Sequence, residues 1–186
     1  MSFNECIELK LVDLCELISR GITPSYTEDE SEGVLVINQK CIRDNTINLE
    51  LARLTNPNKK KVIENKYLKR YDILVNSTGV GTLGRVAQLK NINSKMTVDS
   101  HVTIVRPKKE INPIFLGYNL FMNQKYIESL GEGSTGQTEL SRVRLGEALE
   151  ITVPSLYEQE VIGKVLSDLD GKIEINNKIN DNLVAA

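Results

Sequence analysis

LYEQEVIGKVLSDLDGKIEINNKINDNLVAA, residues 156–186, is the stretch whose reading decides the architecture. Proline is absent from it, and glycine occurs only at Gly163 and Gly171. Ile162, Val165, Leu166, Leu169, Ile173, Ile179 and Leu183 recur at helical spacing, which predicts one amphipathic helix. At about 1.5 Å per residue such a helix runs about 45 Å, more than a small domain covers. A stripe of that length calls for a second helix. Ile162, Leu166, Leu169, Ile173 and Leu183 would form the pairing face, and Asn176 is a polar position that can fix register. The alternative is a terminal helix folded back on its own domain.

Upstream, strands and helices mix without a βαβ rhythm, so the expected class is α+β: a globular domain over residues 1–154, then an assembly helix over 155–186. Lys10 to Arg20, with Leu11, Leu14, Cys15, Leu17 and Ile18, reads as a helix stopped by Gly21. Gly33 to Ile37 and Tyr71 to Asn76 read as strands, with Arg85 to Leu89 returning beside the second. Thr97 to Arg106 is β-branched and stops at Pro107, which predicts the strongest strand. Asn112-Pro113 opens a helix to about Leu130, carrying Phe115, Leu116, Leu120, Ile127 and Leu130 on one side. Gly131 to Thr138 is a loop, and Leu149 to Val153 is a strand closed by Pro154.

The formal net charge of −2 conceals an uneven distribution. Arg53 to Lys109 carries thirteen basic residues against Glu64, Asp72 and Asp99, while the segments on either side are acidic. Such a stretch can steer a polyanion, or its charges can scatter over several faces. Cys6, Cys15 and Cys41 are odd in number and lack paired metal-ligand spacing, which fits free thiols in a reducing cytoplasm. No apolar run approaches the roughly 20 residues that cross a bilayer, and the first residues show no secretory pattern.

Catalytic motifs are scarce. Gly79-Val80-Gly81-Thr82-Leu83-Gly84 spells a dinucleotide fingerprint after a predicted strand, with Asp99 near the ribose-binding distance. The segment up to Thr97 nevertheless leaves little room for the required helix, and Arg85-Val86 replaces the Lys-Ser/Thr of a Walker loop. His101, the only histidine, sits in the strongest predicted strand and reads as structural. Ser77, Ser100 and Ser134 lack a nucleophile elbow. No catalytic residue and no metal site is expected.

Four stretches together resemble the specificity subunit of type I restriction-modification systems. They are Leu11-Val12-Asp13-Leu14-Cys15-Glu16-Leu17-Ile18-Ser19-Arg20-Gly21-Ile22-Thr23-Pro24; Asp72-Ile73-Leu74-Val75 into the loop Asn76 to Arg85; Gly133-Ser134-Thr135-Gly136-Gln137-Thr138-Glu139-Leu140-Ser141; and Val153-Pro154-Ser155-Leu156-Tyr157-Glu158-Gln159-Glu160, running on through Leu166-Ser167-Asp168-Leu169-Asp170-Gly171-Lys172-Ile173-Glu174-Ile175-Asn176. The resemblance implies a target-recognition domain that reads half of a bipartite site in double-stranded DNA. It also implies a helix that spaces two such domains and docks methyltransferase subunits, with a restriction subunit as further partner. S-adenosylmethionine, ATP and Mg would then belong to the partners, and no cofactor to this chain. A full subunit carries two recognition domains and two helices; one of each here implies either a half-subunit acting as a homodimer or a piece of a longer protein.

Side-chain chemistry supplies the candidate DNA contacts, since phosphates take Lys, Arg and hydroxyls while base edges take Arg, Asn, Gln and Ser/Thr. The candidates are Arg20, Thr23 and Tyr26; Lys59, Lys60 and Lys61 as nonspecific phosphate contacts; Ser77, Thr78 and Arg85 in the first glycine loop; and Ser134, Gln137 and Arg142 around the second. Competing readings are a helix-mediated protein scaffold and a nucleotide-binding enzyme using Gly79 to Gly84.

Overall fold

The computed structural model describes residues 6–133 and 138–184. The chain begins with β1 (Ile7–Lys10), a single helical turn α1 (Leu11–Leu14) and β2 (Cys15–Arg20). Short strands follow: β3 (Tyr26–Thr27), β4 (Val34–Ile37), β5 (Ile42–Arg43), β6 (Thr46–Ile47) and β7 (Arg53–Thr55). Next come β8 (Ile73–Asn76), β9 (Val86–Gln88), β10 (Met96–Val98) and β11 (Val102–Pro107). Helices α2 (Pro113–Met122), α3 (Gln124–Ser129) and α4 (Arg142–Ala148) precede β12 (Glu150–Val153) and the long α5 (Leu156–Val184). The class is α+β, as expected.

A central antiparallel sheet in the order β2-β11-β8-β9 organises two cores. Side chains alternate across its faces. Ile73, Val75, Val86 and Val105 pack with Leu116, Leu120, Ile127 and Leu145 of the helices. Leu74, Ala87, Val102 and Ile104 point the other way, onto Cys41, which precedes β5, and onto Ile37, Met96, Val98 and Ile42. The last four belong to a second sheet, β10-β4-β7-β3, and to the β5–β6 hairpin, whose Asp44 and Asn45 take the positive φ that a tight turn demands. A β1–β12 pair, with Ile7 opposite Val153, joins the two ends of the domain.

Three expectations are corrected. Lys10 to Arg20 is helical only over Leu11–Leu14 and then extends as β2. Opposite β11, Arg106 pairs with Leu17 but Pro107 with Cys15, so Glu16 is an extra residue on the β2 side. The bulge returns Cys15 and Ile18, three apart, to the same core, and this imitates a helical period. Thr97 to Arg106 is two strands in two sheets, because the Asp99 carboxylate accepts the His101 amide (2.9 Å) and turns the chain. His101 therefore lies in an exposed turn between strands. The helix from Pro113 breaks at Asn123, whose side-chain amide donates to the Asn119 carbonyl (2.9 Å). Phe115, Leu116, Leu120, Ile127 and Leu130 are all buried, as the pattern predicts.

Where β2 ends, a Cβ on Gly21 would lie 2.1 Å from the Val98 carbonyl oxygen and 2.2 Å from that of Asp99. Gly21 thus lets the two sheets meet, and the Ile22 amide bonds the Val98 carbonyl at 2.9 Å. Gly21→Ala is expected to destabilise the domain by about 2–3 kcal/mol, the upper part of the range for steric overpacking. An unchanged urea midpoint would contradict this close approach.

Helix α5 starts with a reciprocal cap: the Ser155 amide donates to the Glu158 carboxylate (3.0 Å), and the Ser155 hydroxyl accepts the Glu158 amide (3.4 Å). Gln159, buried, accepts the Asn112 amide (3.0 Å) and donates to the Pro154 carbonyl (2.9 Å), tying the starts of α2 and α5. Farther on, the Tyr118 hydroxyl donates to Asp170 (2.7 Å), and Lys90 pairs with the same carboxylate. The helix lies on α2 this far, with Leu166 half-buried. Past Gly171 the described side chains are exposed, including Ile173, Ile175, Asn176, Ile179 and Leu183. Ile162 and Leu169 are also exposed.

Candidate nucleic-acid interface

The basic stretch does not fold into one patch, but part of it joins polar residues from distant segments. Arg20, at the end of β2, donates to the carbonyls of Ser100 (3.1 Å) and Leu140 (2.7 Å) and pairs with Glu139 (2.7 Å). Its guanidinium thus fastens the Asp99–His101 turn to the segment before α4. Lys66 reaches the Arg20 carbonyl and the Ser19 hydroxyl. Partial burial, and to a smaller extent the nearby Arg142 charge, pushes the Lys66 ammonium below its ordinary pKa. Arg142 is exposed at the start of α4, where the Ser141 hydroxyl accepts the Val143 amide (3.2 Å).

Beside this group lies an open polar cleft of about 380 Å³ lined by Tyr26, Asn38, Gln39, Lys40, Leu51, Arg53, Asp99 and His101. The Arg53 guanidinium stacks 3.5 Å from the centre of the Tyr26 ring. Partial burial and the Asp99 carboxylate raise the Tyr26 pKa against the pull of Arg53, so its phenol stays protonated as a donor. Burial also raises Asp99, which the His101 amide only partly offsets. Thr78 links two of the lining residues: its hydroxyl bonds His101 Nδ1 (2.7 Å) and Gln39 Oε1 (3.2 Å), and its backbone bridges Glu139.

Of the expected contacts, Arg20, Tyr26, Thr78 and Arg142 come together here, and Thr23 is exposed just beyond the Ile22–Asp99 bridge. Ser77 does not reach the surface. It is wholly buried, its hydroxyl 2.5 Å from that of Thr103 inside the central sheet. Arg85 turns back to the Gly81 carbonyl (2.8 Å) within its own loop. Lys59, Lys60 and Lys61 are exposed beyond the turn that Asn56 stabilises, past β7. Ser134 and Gln137 lie outside the described residues. Sequence reasoning missed Asn38, Gln39, Lys40, Arg53 and Lys66, and it placed His101 in a strand.

The glycine motif is not a nucleotide cradle. Gly79 to Gly84 connects the antiparallel neighbours β8 and β9, so no helix N-terminus follows to receive a phosphate. Among the described residues no group of three His, Cys, Asp or Glu side chains could hold a metal ion, and no helix is long and apolar enough to cross a membrane. Burial pushes the Cys15 thiol up to about 12, far from a reactive thiolate.

Residues 5–185 match the family described as the type I restriction modification DNA specificity domain. The chain belongs to that family. A Methanocaldococcus jannaschii protein named as the specificity subunit of the type I restriction enzyme MjaX is similar to this specificity domain, 27% identical over 173 residues. The type I restriction enzyme HindI specificity subunit of Haemophilus influenzae is 26% identical over 171 residues. The alignments cover 91% and 89% of this chain but 40% and 36% of those proteins, so the specificity domain spans about two-fifths of their length. In fold it is similar to the HsdS subunit from Thermoanaerobacter tengcongensis, with TM-score 0.65, 16% identity, and coverage of 91% of this chain and 38% of that one. The type I restriction-modification S subunit from M. genitalium gives TM-score 0.62 and 20% identity, covering 98% of this chain and 46% of that one.

Proposed function

We propose that this chain reads DNA sequence as the specificity subunit, or half-subunit, of a type I restriction-modification complex. In this role it directs methyltransferase and endonuclease subunits to one half of a bipartite site. The family match across residues 5–185 carries the reading. The cleft between Tyr26 and His101, lined by Lys40 and Arg53 together with Asn38 and Gln39 and lying beside Lys66 and Arg142, supports it with an arrangement suited to nucleic acid: cations for phosphates next to neutral donors and acceptors for bases. The domain contributes no chemistry of its own. S-adenosylmethionine, ATP and Mg act on the partner subunits, and the assembly works in the cytoplasm. The exposed stripe Ile173, Ile179 and Leu183 continues α5 as the surface that pairs with a second copy, presenting two readers about a two-fold axis.

The test mixes the chain with the methyltransferase subunit of its system and selects from randomised duplexes. A recovered sequence preference upholds the proposal, and recovery of unenriched DNA refutes it. Arg142→Ala is expected to weaken binding to all sequences alike and to reduce the salt slope by about one phosphate contact. A slope unchanged within error would remove Arg142 from the phosphate-facing rim.

A further inference from the structure

Gln39, Thr78 and His101 form a polar relay whose protons run in one direction only. A carboxamide oxygen can only accept, so the single Thr78 hydroxyl proton points to Gln39 Oε1. The Thr78 oxygen must then accept from His101 Nδ1, 2.7 Å away. Nδ1 therefore carries a proton, and in the neutral imidazole Nε2 is left as an acceptor. The Gln39 amide group is left with two donor protons. The relay thus sorts its two outer ends into one donor and one acceptor, both on residues lining the open cleft.

The relay is held from behind. The Asn76 amide donates to the Gln39 carbonyl (2.9 Å), and Asn38 accepts the Lys40 amide (2.9 Å) to shape the turn that carries Gln39. Gly79 lies so near that a Cβ there would come within 2.7 Å of Gln39 Oε1, and its φ of +100° suits glycine. On the far side, the Asp99 carboxylate takes the His101 amide and fixes the turn that holds the ring.

A donor beside an acceptor, with the Asp99 carboxylate in the same cleft, is poor chemistry for a phosphate. It suits a base edge. In the major groove adenine offers an adjacent acceptor (N7) and donor (N6), whereas guanine offers two acceptors. We infer that the Gln39–Thr78–His101 relay is the base-reading element of this domain and recognises the major-groove edge of an A·T pair in duplex DNA. This rests on the DNA-reading function proposed above. Tyr26–Arg53, Lys40 and Arg142 flank the relay as backbone contacts.

The experiment repeats the selection from randomised duplexes with the reconstituted complex, using wild type, Thr78→Val and Gln39→Glu. Thr78→Val keeps the shape and breaks the relay. It should lower the preference at one A·T position by about 5- to 150-fold while leaving the other positions and the salt slope unchanged. Gln39→Glu replaces the outward donor with an acceptor and should move that position toward cytosine, whose N4 amine donates. Circular dichroism confirms that each variant is folded, and either folded variant decides the matter alone. If wild type shows no preference at all, the DNA-reading function itself falls. If wild type prefers a sequence and the folded variants keep that preference at every position, or lose affinity equally for all sequences, the relay is not the reader and the inference is overturned.

Discussion

Arg106→Ala is expected to cost the domain about 3–5 kcal/mol, read as a fall in the urea midpoint at unchanged slope. Arg106 grips Asp72 with two parallel bonds, Nε to Oδ1 at 2.7 Å and Nη2 to Oδ2 at 2.6 Å, and gives a third to the Tyr67 carbonyl at 3.0 Å. The Asp72 side chain is 1% exposed and that of Arg106 7%. Burial pushes the Asp72 carboxyl up, and Arg106 is the main force holding it down. Removing the guanidinium leaves that carboxylate with the Lys69 amide, 2.8 Å away, as its remaining close partner. Asp72→Leu combined with Arg106→Met should recover most of the loss, because two apolar groups replace both desolvated charges. Arg106→Lys should not, since an ammonium cannot make the fork. A loss below about 1 kcal/mol in the single variant would show that the pair is not the anchor described.

The second large effect concerns assembly. Ile173→Asp together with Ile179→Asp should weaken the proposed pairing of α5 with its copy on the order of a hundredfold or more, because each isoleucine would otherwise be buried at about 1.5–3 kcal/mol. Ile173 is 59% exposed and Ile179 50%, so the domain itself should melt at its usual temperature. Light scattering at several concentrations reads the change. A wild-type chain that scatters as a monomer throughout, or a double variant that stays dimeric, would remove the helix from assembly.

The features legible in the sequence were those whose signal is local. The α5 stripe, the apolar side of α2 and α3, and the β8–β9 return all rest on periodicity within a single segment. The Glu16 bulge defeated the same logic at β2, because an inserted residue turns a two-residue period into an apparent helical one. Strands β3 and β7 have two or three residues and are held by partners elsewhere in the chain, and β5 and β6 have two residues each in one tight hairpin, so no periodicity announces them. The cleft was harder still. Gln39 and His101 stand 39 and 23 residues from Thr78, and only the meeting of the two sheets brings them together. The loudest local charge run, Lys59 to Lys61, lies elsewhere.

The pairing of Ile7–Lys10 with Glu150–Val153 also sets an order of events during synthesis. The first strand leaves the ribosome long before its neighbour exists, so β1 must wait, unpaired, while some 140 residues are made. Leu11 has the same delay, since its amide bonds the Leu149 carbonyl. That edge does not close until Val153 emerges, and α5 follows at once. Nascent chains are therefore open at this edge while residues 11–149 are made, and a protease or a chaperone that reads extended segments would find β1 throughout that interval.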